Sequence, residues 1–277
     1  MANIESWQNY DITVSRYVED YINDFSEDDD CVALWRFEAA ALLEDSKGNN
    51  DWYIYPSSGP VDPAADTVIF KEGASSVYFD GWGNVGPPED NSPSLYILDT
   101  GLDAGFPLKS GDATKQFSIC FWIKLDSFDT SEEEAEYYNA WFKKGVEGGS
   151  HCSLAIQAAS VDEGVTHKVK LMLSSTGASY DAAYTHASAL ATGVWYHVAV
   201  TYGPGTYRIR IWDDTAQAIL GADAIGAAID THVDDGWCWL GSPVYDSDID
   251  GHVDEMVIFK RVLTVEEIDK IRQGVFP

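Results

Sequence analysis

The chain has 277 residues, of which 45% are hydrophobic and 13% aromatic, so it has ample material for a packed core and is not a disordered protein. Its 46 acidic and 17 basic side chains leave a formal net charge of −29, and this field excludes nucleic acid and anionic membranes as partners. Residues 1–11 lack the basic and apolar regions of a secretion signal, and no window is apolar enough for membrane insertion. The acid excess indicates either cation-binding loops or a surface adapted to high salt.

The first predicted element is an amphipathic helix within residues 14–25. Its apolar side chains recur at helical spacing on an otherwise acidic segment: Val14, Tyr17, Val18, Tyr21, Ile22 and Phe25. The acid run at residues 27–30 is interpreted as a solvated linker. We therefore expect residues 1–30 to form a helical arm and residues 31–277 the main domain, with the arm either packed on the domain or docked on a partner.

Short apolar runs separated by turns predict strands through the rest of the chain. They lie at residues 32–38, 76–81, 117–124, 153–158, 169–173, 195–202, 207–212, 237–241 and 256–259. Thr264 with Glu267 predicts a capping box at the start of a short C-terminal helix. Strands without alternating helices predict an all-β fold, a two-sheet antiparallel sandwich of the jelly-roll type.

Several of these segments resemble one family, the laminin-G-like domains among the concanavalin A-like lectin and glucanase jelly rolls. The matching sequences are SVYFDG at residues 76–81, FSICFWIK at 117–124, WYHVAVTY at 195–202 and GHVDEMVIFKRVLTVEEI at 251–268. The resemblance implies a laminin-G-like jelly roll over residues 31–277. It also implies a non-catalytic role in binding or adhesion to glycans or proteins.

Alternate aspartates before a glycine predict a calcium loop near the end of the chain. Asp246, Asp248 and Asp250 precede Gly251, and Asp254 follows it. Such spacing lets several carboxylate oxygens converge on one hard cation, while the glycine permits a sharp turn. The twelfth position carries valine, so the loop is not an EF-hand. In an acid-rich chain the same run also arises by chance.

The family resemblance implies a second set of ligands for structural Ca2+. Members of the family often hold this ion between the first loop and the closing strand. The matching positions here are Asp45, Asn49, Asn50 and Asp254. Because the two sets share Asp254, they describe either one calcium site or two.

Aromatic residues in predicted loops are candidates for sugar binding, because a flat ring offers apolar area to a sugar face. The alternative is that each ring fills a gap between a loop and a sheet. The candidates are Trp52, Tyr53, Tyr55, Trp82, Trp141, Tyr180 and Tyr184. From these we take as the predicted ligand-binding set Trp52, Trp82, Trp141, Tyr180 and Tyr184.

Known catalytic motifs are absent from the sequence. The E-x-D-x-x-E strand of related retaining glycanases is missing, as are G-x-S-x-G and the phosphate-binding glycine loops. His197 is interpreted as a hydrogen-bonded core residue, and the four cysteines as buried thiols. We therefore predict that the chain is not an enzyme, with a glycanase as the remaining catalytic alternative.

Two classes of function follow from the sequence. The first is a calcium-stabilised, non-catalytic module that binds glycans or proteins on a cell or particle surface, either alone or as a homo-oligomer. The second is a structural, decoration or host-attachment component of a larger assembly, such as a virus particle from a saline habitat, with the N-terminal helix as its dock. Either function predicts an extracellular or virion-surface location.

Overall fold

Most of the described chain is β-strand. The structure is a computed structural model that describes residues 23–55, 62–81, 93–128, 140–146, 151–158, 167–241 and 249–276. Outside these ranges lie residues 1–22 with most of the predicted arm helix, the acidic segment 129–136, and the site candidates Trp82, Asp246 and Asp248. Within them, no helix is both long enough and apolar enough to cross a membrane.

The strands are short and mostly joined by turns. In chain order they are β1 (Cys31–Trp35), β2 (Tyr53–Tyr55), β3 (Ala64–Asp66), β4 (Ser76–Phe79), β5 (Ser94–Ile97), β6 (Phe117–Leu125), β7 (Ala140–Val146), β8 (His151–Ala158), β9 (Lys168–Leu173), β10 (Ala182–Ala189), β11 (Trp195–Gly203), β12 (Thr206–Asp213), β13 (Ala218–Ile219), β14 (Ala224–Ala227), β15 (Cys238–Leu240) and β16 (Gly251–Phe259). A 3-10 turn covers Asp99–Gly101, and helix α1 covers Val265–Arg272.

The described strands form two antiparallel sheets. The larger sheet runs β13-β12-β11-β6-β16-β4-β3, with β1 also paired to β16 and β14 to β12. The smaller sheet runs β10-β9-β8-β7-β15-β5-β2. Many spatial neighbours are distant in sequence, which is typical of a jelly roll. The predicted two-sheet antiparallel sandwich is confirmed.

The main core lies between the two sheets. On β6 the alternate residues Phe117, Ile119, Phe121 and Ile123 all point into it, as their spacing predicts. Each such side chain stabilises the fold by about 1.5–3 kcal/mol when it leaves water. The alternation therefore decides which face of each strand points to the opposite sheet.

A second apolar layer covers the outer face of the larger sheet. Helix α1 contributes Ile268 and Ile271, which pack with Phe25, Phe259 and Phe276. Strand β16 is consequently buried on both faces, as its continuous apolar run predicts. This layer therefore buries part of the outer face of the larger sheet.

Residues 23–30 belong to this second layer and pack on the domain. The Asn23 side chain donates to the carbonyl oxygen of Ile271 at 2.8 Å and accepts from the Phe276 N–H at 3.0 Å. In the acid run, Asp28 pairs with Arg261 at 2.9 Å. The solvated-linker interpretation therefore does not hold for Asp28, because the positive charge of Arg261 holds its carboxylate against the domain.

Candidate functional site

Aromatic side chains cover one end of the smaller sheet on the face that points away from the core. Tyr53, Tyr96 and Trp239 pair across β2, β5 and β15, so their side chains lie on the same face. Their strand neighbours Leu95 and Cys238 point the other way, into the core. The alternation of the strands thus gives this end of the sheet an aromatic outer surface.

We call Tyr53, Tyr55, Tyr96, Trp237 and Trp239 the aromatic patch. The ring centroids of Tyr96 and Trp237 lie 5.1 Å apart in a stacked pair, and those of Trp237 and Trp239 lie 5.3 Å apart. Tyr55 meets Trp239 edge-on at 5.4 Å, and Tyr53 lies 5.8 Å from Tyr96. Pairs of this geometry are worth about 0.5–1.5 kcal/mol beyond their burial. The rings therefore hold one another in place without a ligand.

The patch is open to solvent on the side of the edge strand β2. Tyr53 is 59% exposed, the rings of Tyr55, Tyr96 and Trp237 are partly exposed, and Trp239 is buried among them. On the side of the patch towards the middle of the sheet, Lys143 of β7 pairs with Trp239, so its side chain lies on the same outer face. Exposed rings bordered by a polar group are typical of a surface that binds a ligand.

Sequence reasoning misses Tyr96, Trp237 and Trp239 because it looks for aromatic residues in loops, and these lie in strands or directly before one. The signal that could have found them is strand alternation. Trp237 and Trp239 flank the core residue Cys238, so both must point outward. Tyr53 and Tyr55, which are among the aromatic candidates but outside the predicted ligand-binding set, also belong to the patch.

Trp52 and Trp141 are wrong as predicted ligand-binding residues. Trp52 is 2% exposed and packs against Trp35 with ring centroids 4.8 Å apart, and Trp141 is fully buried, edge-on to Phe121. A register shift in β7 lets Trp141 and Phe142 both join the core. A buried ring offers no face to a sugar, so the gap-filling alternative holds for both tryptophans.

Tyr180 and Tyr184 lie at the β10 edge, which is the edge of the smaller sheet opposite the patch. Tyr184 stacks on Tyr207 with centroids 4.3 Å apart, and its hydroxyl accepts from the Ile229 N–H at 2.9 Å. The Tyr180 hydroxyl donates to the carbonyl oxygen of Leu154 at 3.3 Å. Both tyrosines are partly exposed, and ligand binding by either stays a prediction.

The first loop brings Asp45, Asn49 and Asn50 together with Asp103, which the sequence does not predict. The Asn50 side-chain N–H donates to Asp45 Oδ2 at 2.7 Å, and Asp103 Oδ2 accepts from the Asn49 N–H at 2.8 Å. Asp45 Oδ1 accepts two further backbone N–H groups. Calcium binds oxygen, yet here an amide nitrogen faces the carboxylate and N–H donors occupy both Asp45 oxygens. Calcium binding by this loop stays a prediction.

The structure does not bring Asp254 together with Asp250 or Asp45. Asp250 directly precedes β16, and Asp254 is the fourth residue of that strand. In an extended chain their Cα atoms are about 13 Å apart, which is too far for the two carboxylates to share one ion. Asp254 Oδ2 instead accepts the N–H groups of Lys71 and Glu72 at 2.8 and 3.0 Å. Among the described residues, no three acidic, histidine or cysteine side chains are grouped as metal ligands. The calcium loop at residues 246–250 stays a prediction.

Three carboxyl groups lie close enough beneath the loop at residues 71–72 to affect one another's ionisation. Burial is the largest cause that raises the pKa values of Asp254 and Glu255 to about 8, and it also raises the pKa of Glu72. Raised carboxyl pKa values often mark catalytic sites. Asp254 is fully buried, however, and Glu255 pairs with Arg36 at 3.1 Å. These acids are therefore out of reach of a glycan and have a structural role.

His197 is buried as predicted, but its Nε2 atom has no hydrogen-bond partner among the described residues, so a fully hydrogen-bonded ring is not confirmed. It lies on the outer face of the larger sheet, edge-on to Trp122 with ring centroids 5.1 Å apart. Burial, with help from nearby cations, lowers the pKa of His197 to about 3, so its ring is neutral. Cys31, Cys120 and Cys238 are buried thiols, as predicted, whereas Cys152 is only partly buried.

Comparisons with known proteins agree with the fold. A family model described as the concanavalin A-like lectin/glucanases superfamily matches residues 99–269. Domain 4 of AbnA, a GH43 extracellular arabinanase from Geobacillus stearothermophilus solved in complex with arabinotriose, is 16% identical with a TM-score of 0.59, covering 87% of this chain and 97% of that chain. Comparison with curated proteins finds no match.

Two further solved structures are similar over about the same share of the chain. The binding domain of botulinum neurotoxin DC in complex with SialylT is 12% identical with a TM-score of 0.56, covering 89% of this chain and 52% of that chain. Trypanosoma rangeli sialidase is 14% identical with a TM-score of 0.52, covering 88% of this chain and 32% of that chain. The chain thus spans about half of one and a third of the other. At these identities the likeness shows the fold alone, which both binding domains and enzymes use.

Proposed function

Because the chain belongs to the concanavalin A-like lectin/glucanases superfamily, we propose that it is a non-catalytic module that binds a glycan through its aromatic patch. The position of the patch carries the proposal. Its rings point outward from the smaller sheet, whereas helix α1 and residues 23–30 cover part of the opposite outer face. The similarity to an arabinanase domain that was solved with arabinotriose supports a saccharide as the ligand.

The chemistry of the patch suits a sugar. A sugar ring has an apolar face of C–H groups and a rim of hydroxyls, and the partly exposed rings of Tyr96 and Trp237 can pack against such a face. The hydroxyls of Tyr53 and Tyr55 can donate to or accept from the rim. The patch crosses β2, β5 and β15 at about 4.8 Å per strand, so it is about 10 Å wide. That width suits a short oligosaccharide or one end of a longer chain.

The charge of the protein narrows the class of glycan to neutral sugars. A net charge of −29 repels sulfated and uronic-acid polymers at ordinary ionic strength. Many described cations are already paired with carboxylates, among them Lys71 with Asp214 at 2.8 Å and Lys115 with Asp230 at 2.7 Å. A neutral oligosaccharide does not meet this repulsion.

A glycan array probed with the labelled wild-type chain and with Trp237→Ala tests the proposal. The array carries neutral oligosaccharides, including arabinotriose and cellotetraose, beside anionic ones. We expect binding to a neutral group, and a loss in Trp237→Ala of about 2 kcal/mol, or about thirtyfold in Kd, because a central aromatic anchor is removed.

Phe70→Ala is the matched control, since Phe70 is an exposed aromatic residue in the loop between β3 and β4 of the larger sheet. It should bind as the wild type does. The proposal would be contradicted if the wild-type chain bound no glycan on the array, or if Trp237→Ala bound as tightly as the wild-type chain.

The alternative of a structural, decoration or host-attachment component rests on the predicted helix, of which residues 14–22 lie outside the described residues. Deletion of residues 1–22 keeps Asn23 and Phe25, which pack on the domain, and removes the proposed dock. An assembly that still incorporates the deleted chain would contradict this alternative. Under either function we expect the chain to act at a cell or particle surface.

A further inference from the structure

A buried lysine holds the chain segment that leads into the aromatic patch. Lys144 of β7 has 1% of its side chain exposed, and its Nζ lies 2.9 Å from Asp99 Oδ1 in the 3-10 turn. The same ammonium group donates to the carbonyl oxygen of Asp234 at 3.2 Å and to that of Gly236. These three acceptors match the three N–H groups of a lysine. Lys144 thus joins β7 to the segment immediately before Trp237.

The backbone of this segment is fixed to the same strand. The Gly145 N–H donates to the carbonyl oxygen of Trp237 at 2.8 Å. A Cβ on Gly236 would lie 2.6 Å from the Cα of Gly145, so the two backbones are in direct contact and a side chain has no room there. Asp234 Oδ1 also accepts the Gly236 N–H at 2.7 Å. The position of Trp237 therefore depends on how this short segment lies on β7.

Adjacent lysines of β7 point to opposite faces. Lys143 pairs with Trp239 on the outer face, whereas Lys144 pairs with the core residues Cys238 and Leu154 on the inner face. An apolar side chain at position 144 would avoid the cost of removing an ammonium group from water. The lysine instead adds two hydrogen bonds to the loop that presents Trp237, which an apolar side chain cannot make.

We propose that Lys144 is a positioning residue for the aromatic patch: by holding the carbonyl oxygens of Asp234 and Gly236, it keeps the Trp237 ring stacked against both Tyr96 and Trp239. The consequence for glycan affinity rests on the proposed function. The positioning itself is measurable without any glycan.

Exciton-coupled circular dichroism of the stacked Trp237 and Trp239 indoles tests the positioning. Trp237→Phe identifies the couplet by its loss. The main variant is Lys144→Met with Asp99→Asn, which removes both charges of the closer ion pair. The Asp234 carboxylate, whose Oδ1 lies 3.6 Å from Lys144 Nζ, loses that cation but keeps its hydrogen bonds from the Gly236 N–H and the Ser153 hydroxyl. We expect this double variant to lose the couplet to the level of Trp237→Phe. In arabinotriose and cellotetraose titrations, we also expect its Kd to rise about tenfold.

Asp99→Asn alone is the matched control. It breaks the same buried ion pair but leaves the bonds from Lys144 to Asp234 and Gly236, so the couplet and the affinity should survive. A double variant that folds and retains the couplet would overturn the proposal, as would loss of the couplet in Asp99→Asn. Loss of the couplet in the double variant, with no binding of either sugar by the wild-type chain, would support the positioning and count against the proposed function instead.

Discussion

The two adjacent acids Asp254 and Glu255 lie where the register of β16 shifts against β6, and their buried carboxyl groups have different partners. Asp254 accepts backbone N–H groups from the loop at residues 71–72, and Glu255 pairs with Arg36. Burial raises the pKa of both side chains to about 8. Both are therefore expected to be largely protonated in the folded protein at pH 6 and ionised in the unfolded chain.

This difference predicts how the free energy of unfolding varies with pH. Glu255 has its ordinary pKa of 4.5 when unfolded and a pKa of about 8 when folded, so the folded state binds more protons between these values. Its contribution to stability is complete below about pH 4.5 and is lost as pH rises towards 8, by at most about 1.4 kcal/mol per pH unit. Glu255→Gln removes this loss. Relative to wild type, the variant should gain about 1–2 kcal/mol between pH 5.5 and 7.5 in urea unfolding.

Glu266→Gln is the control for this measurement, because Glu266 is an exposed acid of helix α1 and its side chain is 80% accessible. Its stability should track that of the wild-type chain across the same pH range. A constant stability difference between Glu255→Gln and wild type from pH 5.5 to 7.5 would show that Glu255 ionises alike in both states.

Helix α1 illustrates an element whose start is encoded locally. The Thr264 hydroxyl accepts from the Glu267 N–H at 3.2 Å, and Glu267 Oε2 accepts from the Thr264 N–H at 2.7 Å, which is the predicted capping box. Thr264→Ala leaves helix N–H groups without their side-chain partner. We expect a loss of about 1 kcal/mol in the free energy of unfolding, measured with urea.

Glu266→Ala serves as the control for the cap, since it changes the same turn without touching the capping box. It should shift stability by less than about 0.5 kcal/mol. Equal losses in the two variants would mean that the cap contributes nothing specific.

The elements that the sequence predicts best are those with strong alternation or long apolar runs. The sequence predicts β6 at residues 117–124, and the strand covers Phe117–Leu125; it predicts β12 at 207–212, and the strand covers Thr206–Asp213. Strand β10 was missed because its small residues, AAYTHASA, have weak strand propensity and the strand forms by pairing with β9. Local pattern cannot reveal such an edge strand.

The candidate site was harder to predict than the fold for a related reason. Trp141 and Trp239 are both strand tryptophans, and which face each ring occupies depends on register. The shift in β7 turns Trp141 inward, whereas the regular pairing of β15 with β5 turns Trp239 outward. Strand alternation in the sequence predicts the outward position of Trp239, but nothing in the sequence indicates the register shift that turns Trp141 inward. Nor could the sequence reveal that Asp103 joins the first loop, because 53 residues separate it from Asn50.

At the scale of the whole molecule, the net charge of −29 predicts a strong response to salt. Repulsion between surface carboxylates opposes the compact state, and raising sodium chloride from 0.1 to 1 M shortens the screening length from about 10 to about 3 Å. We expect the melting temperature to rise by several degrees. The predicted calcium loop adds a further rise in millimolar calcium over magnesium at equal ionic strength, lost in Asp250→Ala.

A melting temperature that does not change with sodium chloride would contradict the prediction that carboxylate repulsion destabilises the fold. The calcium prediction is contradicted if calcium and magnesium act alike or if chelator has no effect. Asp29→Ala is a suitable control for Asp250→Ala, because it removes one exposed aspartate, and thus the same charge, away from both predicted calcium ligand sets. The sodium chloride prediction and the calcium prediction can therefore be contradicted separately.

The measurement that tests the central claim most directly is an NMR titration of the tryptophan indole N–H signals with arabinotriose, cellotetraose and the neutral glycans bound on the array. Single Trp→Phe variants assign the signals. The account predicts that the Trp237 and Trp239 signals shift with added sugar, while those of Trp122 and Trp212 on the larger sheet do not. Shifts at Trp122 or Trp212 with the aromatic patch unchanged, or no shift with any of these sugars, would contradict it.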